Sequence, residues 1–427
     1  MKLRTSRRLQ PLAWGLGLAL GGVTLGGVTL AALAENSPYY IGVSQALGYD
    51  SNLLLLSDGQ PTPAGLKRSD VLSTTSVIAG LDQPISRQRV FGNLALRVNR
   101  YASNSEYDNQ SYSGTLGVDW ATVERLSGRL VGNVNRSLAS FDQQGIGLVS
   151  AKNFEDSRAL DFSANLGLVT QYSLYGTLGW REIENSLNLP ALQSRDYNQL
   201  SYSAGVRWNP SSRSTFGIGL RQTDGEYPRF QPLPGGGFQA DKFSRRDIDL
   251  TATLQPSGAS TVSARISTGD TEYDLATQRD FSGVTGSLNW TWVATGKTRF
   301  NATLTRDTGV DSYATIVFNT PGTSDFSRVT TALNVGADYA ATSKIMLTLG
   351  LGTSQRDLVR SLPAALGIPG QASKDRTNAL NLGARWTPSR SVQVGCNAGV
   401  QRRNASGVLS SDFKSNTFSC YGQFTLQ

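Results

Sequence analysis

The sequence is built from recurring segments in which apolar and polar residues take turns. Val90, Leu94, Leu96 and Val98 alternate with Phe91, Asn93, Arg97 and Asn99. Leu160, Phe162, Ala164, Leu166 and Leu168 alternate with Asp161, Ser163 and Asn165, and Ile248, Leu250, Ala252 and Leu254 alternate with Asp247, Asp249, Thr251 and Thr253. Segments around Tyr112–Trp120 and Leu200–Trp208 repeat the contrast. Successive side chains of a strand point to opposite sides. Each segment, roughly ten to thirteen residues long, therefore has one oily and one wet face. A soluble β-protein of 427 residues would need many sandwich domains or a propeller, and the chain has no blade-length repeat. The expected fold is all-β: a transmembrane antiparallel up-and-down β-barrel.

The connections sharpen that expectation. Short ones fall at 83–88, 122–126, near Gln171, and at 209–213, 255–259, 294–297, 341–343 and 387–390. Longer polar stretches lie between them, among them 48–70, 139–156, 185–196, 225–241, 309–325 and 356–374. Short periplasmic turns alternating with long extracellular loops is the habit of bacterial outer-membrane barrels. The tally predicts about 18 strands, within a range of 16–20, with both termini in the periplasm. Trp120, Trp208, Trp292 and Trp386 each stand just before a short connection, two of them in the related runs Trp208-Asn-Pro-Ser-Ser-Arg-Ser and Trp386-Thr-Pro-Ser-Arg-Ser. Indole rings favour the headgroup level of a bilayer, so these four are expected in a periplasmic aromatic girdle rather than in a core.

The N-terminus sets the compartment. Lys2, Arg4, Arg7 and Arg8 precede an apolar, glycine-containing run, and Ala32-Leu33-Ala34 supplies the small-x-small pattern of a signal peptidase site. Residues 1–34 are read as a signal peptide and 35–427 as the barrel; an uncleaved anchor is the alternative. Removing the four basic residues takes the formal charge from +8 to +4. With no basic block elsewhere, that excess gives no support for nucleic-acid binding. The chain contains no histidine, which excludes Ser-His-Asp triads and His-ligated zinc. Its two cysteines cannot form a Cys₄ metal site. No cofactor is expected. The lipid of the outer membrane is the expected surrounding partner.

The segment Ser37-Pro-Tyr-Tyr-Ile-Gly-Val-Ser-Gln45, followed by Tyr49-Asp-Ser-Asn-Leu53, resembles the start of the β-barrel porins of exopolysaccharide operons, the EpsL-like outer-membrane proteins. The resemblance implies a role in making or exporting a polysaccharide, as the outer-membrane conduit or partner of a periplasmic polysaccharide-export protein. It brings no catalytic residue with it. The last residues, Tyr421-Gly-Gln-Phe-Thr-Leu-Gln427, keep the strand pattern but end on a polar residue where many barrels have an aromatic one.

Following the alternation through the wall places Arg97, Asp119, Asp161, Arg181, Arg207, Arg221, Asp249, Arg265 and Arg385 on the lumenal face. A mid-depth arginine facing hydrocarbon would cost about 2–4 kcal/mol, so the inner side is selected. These groups either pair with one another or line a path for an anionic or hydroxyl-rich solute or polymer. A general or sugar-selective diffusion porin is the alternative to the export role. A lumenal hydrolase has one weak candidate, Asp247 with Asp249, roughly 7 Å apart along a strand. Arg245 on the same face points instead to an ion-pair cluster. Tyr227, Phe230 and Phe238 in 225–241 either pack a folded loop or stack on sugar rings. Cys396 and Cys420 share the oily face of the last two strands and fall about opposite each other, so the expected register allows a disulfide.

Overall fold

The computed structural model describes residues 37–143, 147–148, 150–169, 171–233, 235–308, 327–360, 371–407 and 409–426. The expected signal peptide and the stretch 309–325 lie outside them.

Eighteen strands form one closed antiparallel sheet. The first five are β1 (Tyr39–Asp50), β2 (Asp70–Ile85), β3 (Gln88–Tyr101), β4 (Asn109–Ala121) and β5 (Leu126–Leu138). A two-rung ribbon of β6 (Asp142–Gln143) and β7 (Gly147–Leu148) sits in the connection that follows. The wall continues with β8 (Phe154–Val169), β9 (Tyr172–Asn185), β10 (Tyr197–Ser211), β11 (Ser214–Pro232), β12 (Phe238–Ser257) and β13 (Ser260–Tyr273). It is completed by β14 (Phe281–Val293), β15 (Thr298–Asp307), β16 (Ser327–Ala340), β17 (Ile345–Arg360), β18 (Gln371–Trp386), β19 (Val392–Ser406) and β20 (Phe413–Leu426). Each wall strand pairs with its neighbours in sequence, and β1 pairs with β20 from Ile41↔Leu426 to Asp50↔Thr417. Closure removes the sheet edges that a bilayer would leave without hydrogen-bond partners.

Eight connections of two to five residues, after β2, β4, β8, β10, β12, β14, β16 and β18, gather at one end, at the positions expected from the sequence. Two of the longer stretches differ from expectation. The stretch 225–241 is mostly ladder: β11 runs on to Pro232 and β12 begins at Phe238, with Gln231 opposite Gln239. Only 233–237 turns, and Gly236 and Gly237 take it at φ 89° and 84°, conformations natural to glycine. The stretch 356–374 is likewise paired at both margins, with Arg356 opposite Asp375 and Arg360 opposite Gln371. Above the membrane both faces of a strand are wet, so the hydropathy contrast fades before the pairing does.

The outer surface carries the oily faces. Along β1, Tyr39, Ile41, Val43, Leu47 and Tyr49 are all exposed. Ten residues of rise at about 3.4 Å each, tilted by about 40°, give a band about 26 Å tall, which matches the hydrocarbon core a barrel must face. Trp208 against Phe216 (ring centroids 5.9 Å apart) and Trp292 against Phe300 (5.5 Å) stand at the short-turn end of this band. Trp386 lies exposed at the same level. On the inner side, aromatic rings lie over cross-strand glycines. A Cβ on Gly117 would meet the Phe91 ring at 2.3 Å, and one on Gly395 the Tyr421 ring at 2.6 Å. Part of the glycine content thus lets inward aromatics lie flat on the wall.

Cys396 and Cys420 are directly opposed in the β19–β20 ladder and bonded through their sulfurs, with Cα atoms 4.0 Å apart. The bridge closes a separation of 24 residues on the outer face, one strand from the barrel seam. By chain entropy a loop of this length contributes about 3 kcal/mol. Replacing both cysteines by serine should therefore lower the urea midpoint of the folded barrel. Non-reducing peptide mapping of the wild type should return one linked Cys396–Cys420 pair.

Candidate functional site

The wet faces of the strands line the interior. Arg97 is half-buried there and donates to Ser113 Oγ at 3.2 Å. Arg207 is also half-buried, lies over the Tyr175 ring at 4.2 Å and donates to Asn165. Neither has a carboxylate within 4 Å among the described residues. Asp119 sits between Arg89 and Arg129, both at 3.6 Å, and Arg89 reaches Asp82 at 2.6 Å. The Phe91 ring underlies both guanidinium groups. Arg385 and Arg299 act on a single carboxylate, Asp338, which faces Arg299 in register. Asp161 has Arg181 as its electrostatic neighbour.

The densest cluster joins β11, β12 and β13. Asp247 takes Arg245 at 2.7 Å and Arg221 at 3.1 Å, while Asp249 takes Arg221 at 3.0 Å and Arg265 at 3.6 Å. Ser267 donates to Asp249, Arg245 donates to Thr285 Oγ1 at 3.0 Å, and Arg245 also reaches Thr308. Arg245 is 0% exposed. Both carboxylates are thus held by guanidinium groups in the ion-pair cluster to which Arg245 pointed. A second such knot, at the long-loop end, centres on Asp375, bonded by Arg356 at 2.6 Å and Ser410 at 2.7 Å, with Arg403 at 4.0 Å. Sequence reasoning missed this knot and the Arg89 group. Arg89 stands on the alternation face that carries Arg97, so its position was available from the same pattern.

Two packed clusters sit towards the long loops. Tyr197, Tyr227, Phe243 and Tyr273 form one, with the Arg279 guanidinium 4.7 Å from the Tyr227 ring centroid and 4.5 Å from that of Tyr273. Arg279 also donates to the Tyr227 hydroxyl at 2.8 Å. Tyr227 is therefore a packing residue, Phe230 packs against the same group, and Phe238 stays exposed. The other cluster joins Leu54, Leu56, Tyr107 and Phe141. Burial pushes the Tyr107 phenol up to about 12, and its hydroxyl donates to the Ser150 carbonyl at 2.7 Å.

The Asp-Ser-Asn-Leu element anchors that second cluster to the seam. Asp50 accepts from the Asn52 backbone N–H and from Ser415 Oγ of β20. The Asn52 amide donates to the carbonyls of Leu56 at 2.8 Å and Lys414 at 2.9 Å and accepts from the Leu56 N–H. These residues tie the first long loop across the β1–β20 closure. Their role is structural.

A closed barrel with an apolar band outside and charged groups inside is a membrane-spanning one, and the protein is an outer-membrane β-barrel. The sequence matches no family model and no curated protein. Among solved structures it is similar to OccK1 (OpdK) of Pseudomonas aeruginosa, with 12% identity, coverage of 91% of this chain and 99% of that one, and a TM-score of 0.46. Similarity to OccK3 (OpdO) of the same organism is 11% identity over 91% and 96%, with a TM-score of 0.44. A BenF-like porin from Pseudomonas fluorescens Pf-5 is 10% identical over 91% and 99%, also with a TM-score of 0.44.

Proposed function

We propose that the barrel is a diffusion porin that favours small anionic or hydroxyl-rich solutes. The observation that carries this reading is the pair Arg97 and Arg207. Both are half-buried on the inner wall and have no carboxylate within salt-bridge distance among the described residues. Arg299 and Arg385, sharing Asp338, add to the same excess. A guanidinium offers a planar fork of donors to a carboxylate, a phosphate or vicinal hydroxyls. Inserted in a planar bilayer, the purified barrel should conduct and select for chloride over potassium; a silent or cation-selective barrel would reject the reading.

Exopolysaccharide export is the second reading, favoured by the likeness of residues 37–53 to the EpsL-like proteins. It would make the barrel the outer-membrane partner of a periplasmic export protein, and an acidic polymer would meet the same arginines. The observed role of Asp50 and Asn52 weighs against reading a polymer from that motif, because it anchors a loop at the seam. A deletion strain separates the two. Lost small-solute uptake with normal surface polysaccharide supports the porin, and the reverse supports the conduit.

A further inference from the structure

The outer wall is not uniform above its apolar band. On β3–β5, β8 and β9 the outward cations at that height have carboxylate partners: Arg100 with Asp108, Arg136 with Asp156 and Arg158 with Glu182, each at 3.0 Å. On β11–β13, Lys242 faces Glu226 and Arg246 faces Asp270 in register. The remaining sector differs. Arg306 on β15, Lys374 and Arg376 on β18, Arg402 on β19 and Lys414 on β20 are all exposed on the outward face. Among the described residues of β15–β20, Asp357 on β17 is the only carboxylate on the outward face, and it is 3.5 Å from Lys374. Asp412, in the connection above, accepts the Ala405 N–H.

Arg402 and Lys414 are directly opposed in the ladder. Like charges in that relation repel, and among the described residues no carboxylate lies between them. They stand one outward position beyond Val400, the last exposed apolar residue of β19, which is about 7 Å along the strand. Arg376 is two outward positions beyond Leu380 and is steadied by a 3.2 Å bond from its Nε to Thr353 Oγ1. The cations therefore stand at headgroup height, on the rim that carries the long loops. A barrel in an outer membrane presents this rim to the outer leaflet.

We propose that this sector binds the phosphate groups of a phosphorylated glycolipid of the outer leaflet, with Arg402 and Lys414 clamping one phosphate and Arg376 flanking it. The proposal rests on the outer-membrane reading and on the long loops facing outward. Anionic headgroups supply the charge the ladder lacks, and the oily band below receives the acyl chains. Asn378, opposite Arg402, and Asn404, opposite Arg376, place amides where sugar hydroxyls would lie.

The test uses the full purified barrel in non-ionic detergent, titrated with diphosphoryl lipid A and read by native mass spectrometry. The wild type should retain the lipid. The triple variant Arg376→Gln, Arg402→Gln, Lys414→Gln should bind it about a hundredfold more weakly, at about tenfold per 1.4 kcal/mol and about 1 kcal/mol per basic residue near an anionic surface. The variant Arg136→Gln, Arg158→Gln on the paired wall should bind like the wild type. Equal binding by the triple variant, or equal wild-type binding of a dephosphorylated lipid A, would overturn the site. Displacement by millimolar inorganic phosphate would show a free-anion site and overturn the lipid assignment. If the triple variant loses its heat-modifiable mobility and so has not folded, the single Arg402→Gln variant and the dephosphorylated lipid decide. A variant that stays folded in outer-membrane fractions yet keeps its affinity rejects the site while leaving the barrel reading intact.

Discussion

Replacing Asp247 by Ala should destabilise the folded barrel by about 3–5 kcal/mol, the cost of removing one partner of a buried ion pair. Asp247 is the shared acceptor of Arg245 and Arg221, and the side chains of Arg245 and Asp247 are 0% exposed. Without that carboxylate two guanidinium groups face each other in the wall with their mutual acceptor gone. Asp247→Asn keeps the shape and one acceptor oxygen but loses the charge, so it should fall between Ala and wild type. The double variant Asp247→Leu, Arg245→Met removes both charges and should recover most of the loss, since a buried ion pair is worth little against a well-packed apolar pair. Arg221 keeps Asp249 at 3.0 Å throughout. Urea titration of the barrel refolded into lipid vesicles measures all three, and an Asp247→Ala midpoint equal to that of the wild type would deny the network any part in holding the wall together.

The wall itself was legible because a barrel strand repeats one rule. Lipid contact demands an apolar residue at every second position, so Ile248, Leu250, Ala252 and Leu254 betray both the strand and its faces. Short turns read well for the same reason, as they interrupt an otherwise strict contrast. Strand ends were less visible. Tyr227 to Pro232 and Phe238 to Asp241 belong to β11 and β12, yet beyond the bilayer polar residues are tolerated on both faces and the alternation loses its meaning. The partners of the interior charges were legible only in part. Alternation tells that Asp249 and Arg221 point inward, whereas their contact depends on the register of the β11–β12 ladder, which closes through the connection at 233–237. The knot of Asp375, Arg356 and Arg403 joins strands whose connecting stretch reads as a loop, and so it was missed. The outward cations of β18–β20 escaped for a different reason: on sequence alone Arg376, Arg402 and Lys414 are ordinary strand-end residues, and only the closed wall sets them side by side.

Reversing the charge at Arg97 and Arg207 should lower the chloride-over-potassium permeability ratio roughly thirtyfold. Each Arg→Glu change alters the lumenal charge by two units. At about 8 Å from a passing ion in a water-filled passage, one unit charge is worth about 0.5 kcal/mol, and a Debye length of about 10 Å at 0.1 M salt removes about half of that. The effect acts with opposite sign on the two ions, so the double change is worth about 2 kcal/mol in their ratio, a factor of about thirty. Reversal potentials across a bilayer in a salt gradient report it directly. Arg97→Lys and Arg207→Lys keep the charge and should keep the chloride preference, while losing the planar fork that suits carboxylates and sugars. The lysine pair should therefore conduct chloride like the wild type but show weaker block by a bulky organic anion. The effect should also shrink as salt is raised from 0.1 M to 1 M, where the Debye length falls to about 3 Å. Reversal of Arg89 is a poor substitute for this test, because Arg89 already bonds Asp82 at 2.6 Å and a glutamate there would break the wall cluster as well as the field. A ratio unchanged by Arg97→Glu and Arg207→Glu in a barrel that still conducts would place the passage away from both arginines and remove the observation on which the anion-selective porin rests.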